Sequence, residues 1–230
     1  MTPNNRLLPL IAVLLLSAPA ADATLAKAAT FEQKVDNAQS IILGKCVGTI
    51  SRFDPSGRWI LTYSTFHVEQ TMKGVALPEV VVMTPGGQIG SLHQSTIGIP
   101  SFQPGTEHVV FVKNTRLGAT VLYFDQGAYD VKADARGERI VTPAPSSLVT
   151  IDPQRGIAVA PDAPRPLPEF ERQVHDTLRR LEDRHIQMDA AAAENARQQE
   201  SFWSEVSANR WWIALALAGV AFATWRLLRH

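Results

Sequence analysis

Residues 59–87 read WILTYSTFHVEQTMKGVALPEVVVMTPGG. This is a long strand, a Lys73-Gly74 turn, a second strand from Glu79 to Thr84, and a Pro85-Gly86-Gly87 exit. On the first strand Trp59, Leu61, Tyr63 and Thr65 share one face, while Ile60, Thr62, Ser64, Phe66 and Val68 share the other. Both faces carry bulk, as expected of a strand that crosses between the walls of a small barrel. Glu79 to Thr84 is nearly continuous valine, which predicts a strand covered on both sides. Proline then removes a ladder donor and the glycines permit positive φ, so the strand must stop there.

Upstream, Phe31, Val35 and Ala38 recur at helical spacing and predict a short amphipathic helix. Ile41 to Ile50 is β-branched with two internal glycines, a strand with a bulge or corner, and Asp54-Pro55-Ser56-Gly57 closes a hairpin. Downstream of the exit, Gln88 to Gly105 is long, polar and glycine-rich, the kind of loop that often carries function. Strands resume at His108 to Lys113, Thr120 to Phe124, Ala128 to Ala133 and Arg139 to Thr142. Short strands separated by turn signals predict a mainly β domain, a barrel or sandwich, spanning residues 24–142.

The flanks are of a different character. Residues 1–23 have the form of a signal peptide: Arg6, an apolar run from Leu7 to Leu16, then Ala18-Pro19-Ala20 and Ala21-Asp22-Ala23. Seven of the 15 prolines fall in residues 143–168, which predicts a stiff, extended linker. Residues 169–209 contain neither proline nor glycine, and Val174, Leu178, Leu181, His185, Met188 and Ala192 keep a 4-3-4-3-4 spacing, so a helical stalk is expected. A solvated stalk or one laid back on the barrel competes with self-association through a coiled coil. Residues 210–230 predict one transmembrane helix with a basic tail: Trp211, Trp212 and Trp225 as interfacial anchors, followed by Arg226 and Arg229. Export at the N-terminus would then place the barrel on the periplasmic or extracellular side of a bacterial cytoplasmic membrane, as a single-pass protein.

The 22 basic and 22 acidic residues balance and give no support to a nucleic-acid partner. Cys46 is the only cysteine and sits in an apolar run, so it reads as a small buried hydrophobe rather than a disulfide or zinc ligand. His67, His93 and His108 lack any paired ligand spacing, and no metal or cofactor is expected. Ser91, His93 and Ser95 are neighbours, with Asp125 or Asp130 available to orient a base, but no nucleophile-elbow motif frames them.

In order, NAQSIILGKCVGTI, TYSTFHVEQTMKG, VVVMTPGG and GIPSFQPGTEHVVFV resemble a group of uncharacterised exported bacterial β-domains. Those domains are similar in outline to OB-like barrels of the netrin and metalloprotease-inhibitor type. The resemblance covers residues 37–142 and implies an OB-like β-barrel. The chain departs from it at Thr106-Glu107, where the pattern has Gly-Glu, and lacks the N-terminal cysteine through which animal inhibitors reach a catalytic metal.

The expected function is that of a membrane-anchored, extracytoplasmic binding or assembly module without catalytic activity. Its interaction loop would include Pro85, Gly86, Gly87, His93 and Phe102, and its partners would be the membrane and an exported protein. The alternatives are a regulator or inhibitor of an exported protease, and a hydrolase using His93 with Ser91 or Ser95.

Overall fold

The computed structural model describes residues 25–146, 148–208 and 210–229, so the signal-peptide expectation for residues 1–23 lies outside the described residues. The chain divides into two compact units, Met1–His175 and Asp176–His230.

The first unit begins with β1 (Leu25–Lys27) and α1 (Phe31–Asn37). Thr30 caps α1 with a capping box, its hydroxyl on the Gln33 N–H and the Gln33 side chain on the Thr30 N–H. Then come the long antiparallel pair β2 (Ser40–Phe53) and β3 (Ile60–Lys73). Their hairpin is held by Asp54, whose carboxylate accepts from Ser56 Oγ at 2.7 Å and from the Trp59 and Arg58 N–H groups at 3.0 Å. Those bonds, that of Ser56 first, bring the Asp54 pKa down to about 2.

Next, β4 (Glu79–Pro85) pairs with β3, and β5 (Gly87–Ile89) with β6 (Leu92–Gln94) in a separate hairpin. β7 (Glu107–Thr115) lies against the other edge of β2. β8 (Gly118–Val121) then makes two pairings at once, antiparallel to β7 and parallel to β4 at Met83↔Thr120. That second pairing closes β7-β2-β3-β4-β8 into a ring of five strands.

Ile42, Cys46, Phe66, Val82, Val110 and Val121 pack inside the ring. The register puts Ile41 opposite Phe111, and Leu43 opposite Val109, which in turn faces Tyr129. These five side chains lie on the outer face, all at most 1% exposed, so β2 and β7 are buried on both faces over these residues. β4 is covered on both sides only in its second half: Val82, Met83 and Thr84 are all buried, while Val81 is 47% exposed.

A 3₁₀ turn at Phe124–Gly127 leads into β9 (Ala128–Ala133), which joins β7, and β10 (Arg139–Pro143) joins β9. Residues 143–168, expected as an extended linker, instead contribute β11 (Val149–Asp152), β12 (Ile157–Ala158) and β13 (Arg165–Pro166). β1, β11 and β12 form an outer three-stranded sheet, and β13 takes the edge beside β10. Pro143 and Pro166 are tolerated at the ends of short strands, where a missing N–H leaves little unpaired. α2 (Leu167–Ala208) begins in this unit, and its first turns bury Leu167, Phe170 and Val174. Phe170 meets Phe31, Phe111 and Tyr129 edge-on with centroids 5.0–6.3 Å apart, which forms a second, aromatic core outside the ring.

The second unit contains the rest of α2 and α3 (Arg210–Leu227). Every residue from Glu182 to Ser201 is exposed, including Met188 and Ala192 of the expected seam. Among the described residues no helix is long and apolar enough to cross a membrane, which overturns the expected transmembrane helix and with it the single-pass anchor. The reason lies in α3 itself: its 18 residues include Arg210 near one end and Arg226 near the other. Between them Trp211 to Trp225 spans only about 22 Å at 1.5 Å per residue, against a hydrocarbon layer of about 30 Å. Leu227 and Leu228 lie beyond Arg226 and cannot lengthen that run. Trp211 and Trp225 are exposed on α3, Trp212 lies on the same helix, and the Arg229 guanidinium stands 4.2 Å over the Trp225 ring.

Candidate ligand cavity

The expected interaction loop is partly inside the molecule. Phe102 is 5% exposed and sits edge-on to Phe66 and His108, both at 5.0 Å, so it plugs the ring. Pro85 is exposed at the end of β4, and Gly86 is buried with φ +98°. Gly87 has φ +137°, and a Cβ there would fall 2.2 Å from Thr62 Oγ1 and 2.5 Å from Ser51 Oγ. Gly87→Ala is therefore expected to destabilise the protein by about 1–3 kcal/mol, read as a lower denaturant midpoint; an unchanged midpoint would show that the exit does not need glycine.

His93 lies exposed on β6 opposite Gln88, with Ser91 and Ser95 also exposed, and among the described residues no hydrogen bond joins the histidine to either serine. The hairpin that carries them was hidden in an apparently irregular loop. Gly90 with φ +58° starts its two-residue turn, and Gln94 Oε1 accepts the Ile60 N–H at 2.6 Å to pin it to β3.

His67 is exposed, whereas His108 is 4% exposed. His108 Nε2 is 2.6 Å from Thr106 Oγ1, which itself donates to the Gln103 carbonyl at 2.5 Å. Its Nδ1 is 3.2 Å from Asp130 Oδ1, but the pair is not aligned as a hydrogen bond. Burial pushes the His108 pKa down, opposed by Asp130. No group of three His, Cys, Asp or Glu side chains able to hold a metal occurs among the described residues.

The concave feature lies elsewhere in the first unit. α1, the 3₁₀ turn with the start of β9, and the segment from Pro143 to Asp162 enclose a cavity of about 540 Å³. Its wall holds Lys34, Tyr129 and Asp162 in mutual contact. Lys34 Nζ donates to Tyr129 Oη at 2.5 Å and to Asp162 Oδ2 at 2.6 Å, and Tyr129 Oη donates to the same oxygen at 2.5 Å. Lys34 is 4% exposed because α1 presents it on the same face as Phe31 and Val35, toward β9.

Burial pushes the Lys34 ammonium pKa down more than the Asp162 charge pulls it up. Burial also raises the Tyr129 pKa, and the neighbouring carboxylate adds to that. For Asp162 burial acts upward, but the Lys34 charge and the two donated bonds outweigh it and hold the pKa below the usual carboxylate range.

Asp125, also in the wall, is 3% exposed, and neither of its oxygens has a hydrogen-bond partner. Burial raises its pKa, opposed by the nearby Ser146 hydroxyl and, less strongly, by the backbone N–H groups of Asp125 and Gln126. That hydroxyl lies close to the carboxylate without forming a well-directed bond to it, and it accepts from the Leu148 N–H at 3.0 Å and donates to the Leu148 carbonyl at 3.4 Å.

Of these four residues sequence reasoning reached only Asp125, as the partner of a base. One signal was present: Lys34 lies three residues after Phe31 and one before Val35, a cation on the apolar stripe of a short helix.

Compared with family models, with curated proteins and with solved structures, the chain matches none.

Proposed function

We propose that this chain is a binding module, an OB-like ring that carries a small-molecule site on its flank. The observation that supports it is the cavity of about 540 Å³ between α1, β9 and the outer sheet, a size within the about 300–1,000 Å³ of small-molecule pockets. Its lining combines alanine, proline and valine surface with a few fixed polar groups, the mixture through which such pockets orient a ligand. What supports the OB-like reading is the strand order, five strands closed by a parallel pairing of the third with the fifth.

Ala160 lines the cavity from an exposed position, so Ala160→Trp fills space there without crowding a strand. In a ligand-observed NMR screen of a fragment library against the full chain, fragments that bind are expected to lose binding to Ala160→Trp. Hits that survive the substitution unchanged would place the binding surface elsewhere and overturn this reading.

A further inference from the structure

We propose that the cavity takes a small amphipathic molecule bearing a protonated nitrogen, with the nitrogen on Asp125 and the apolar part along Leu25, Ile97 and Phe124. This rests on the binding-module reading and names the class of ligand for the same site.

The first observation is the state of Asp125. Among the described residues, the buried side-chain polar atoms without a partner are its two oxygens and His108 Nδ1. Native folds bond nearly all such atoms, and a buried carboxylate without a well-directed bond is destabilising, so its retention needs a reason. Charges on the wall show what is missing. Lys34 is taken up by Asp162, and Asp152 faces Arg155 at 3.8 Å. Of the remaining charged lining groups, Asp125 is buried and Lys27 is exposed. A protonated nitrogen supplies both the missing positive charge and the donors that two carboxylate oxygens accept.

The second observation is the backbone that delivers Asp125. Tyr123 and Phe124 have φ of +55° and +60°, consecutive left-handed residues without glycine. Such residues are strained, and strain of this kind gathers at ligand clamps. Here it presents Phe124 outward, 53% exposed, while Asp125 turns inward.

The third observation is the surface beside it. Phe124 borders a second hollow of about 360 Å³ with Leu25 and Ile97, themselves 59% and 53% exposed. This hollow shares Lys27, Gln126 and Leu148 with the cavity, so apolar and polar chambers adjoin. Both Asp125 oxygens are shut off from solvent, and Ser146, an exposed residue whose hydroxyl accepts from the Leu148 N–H at 3.0 Å, is the group the incoming nitrogen displaces.

The test titrates the full chain calorimetrically with hexylammonium, hexanoate and hexanol at pH 7, and repeats this with Asp125→Asn. Hexylammonium is expected to bind at least about tenfold more tightly than the other two, and at least about tenfold more weakly to Asp125→Asn. The unliganded variant should also melt higher than the parent at pH 7. The sign follows from the raised pKa: the folded state binds more protons than the unfolded one, so this group's contribution is full below about pH 3.8 and is lost as pH rises through the folded value. Asparagine carries no such loss.

Hexanoate or hexanol binding as tightly as hexylammonium overturns the ligand class and leaves the cavity as a site. Unchanged binding to Asp125→Asn, or a variant that melts lower, overturns the role of Asp125. Failure of all three probes to bind overturns the inference, while fragments still lost on Ala160→Trp would keep the binding-module reading.

Discussion

Phe66→Ala is expected to lower the free energy of unfolding by about 3–5 kcal/mol. Phe66 is fully buried inside the ring and meets Phe102 and His108 edge-on at 5.0 and 6.0 Å. Truncation removes the transfer free energy of the ring and leaves a void that five hydrogen-bonded strands cannot close by moving together. Phe102 comes from the segment before β7, so its loss of a packing partner loosens that segment as well as the ring. Chemical denaturation monitored by circular dichroism reads the effect. Phe53→Ala and Trp59→Ala, at 46% and 58% exposed positions of the same hairpin, should shift stability by no more than about 0.5 kcal/mol. A loss at Phe66 no greater than at those positions would mean that the ring interior repacks freely.

How much of this was legible in the chain depends on how local each feature is. The β2–β3 hairpin could be read because its turn, Asp54 to Gly57, is written in adjacent residues whose side chains bond their own backbone. Ring closure could not, since β8 meets β4 at the single position Met83↔Thr120. Residues 143–168 misled for the opposite reason. Their strands are only two to four residues long, too short to leave a period-two pattern, and the prolines dominate the composition. At the C-terminus the tryptophans at both ends have the look of interfacial anchors, although the apolar run between Arg210 and Arg226 is too short to reach from one interface to the other.

The cavity was illegible for a further reason. Its wall is drawn from residues 27–34, 125–129 and 143–162, three stretches that only the outer sheet and α1 bring together. No spacing rule connects Lys34 with Asp162, which lie 128 residues apart. A buried lysine on an apolar helix face does, however, announce that some acceptor must come to meet it, because an ammonium left alone in such a place would not be tolerated.

That necessity sets the size of the second large effect. Asp162→Ala is expected to cost about 3–5 kcal/mol at pH 7, because it strands Lys34, 4% exposed, with only the Tyr129 hydroxyl as acceptor. Adding Lys34→Met to Asp162→Ala should recover much of the loss, since the pair is then replaced by apolar volume and no buried charge remains. Equal stabilities for the single and double variants would show that Lys34 is not the source of the penalty.

The pH dependence gives an independent check. Asp162 has its folded pKa held below the usual range, so its contribution is full above the unfolded value near 3.8 and disappears as pH falls through the folded one. The gap between parent and Asp162→Ala must therefore narrow in acid. It must also narrow in alkali: Lys34 already has a lowered pKa beside its carboxylate and will have a lower one without it. Between that value and 10.5 the folded variant binds fewer protons than the unfolded chain, so its stability climbs with pH. A gap widest near neutrality and smaller on both sides is the signature of a buried charge pair, whereas a constant gap would reduce Asp162 to a packing contact.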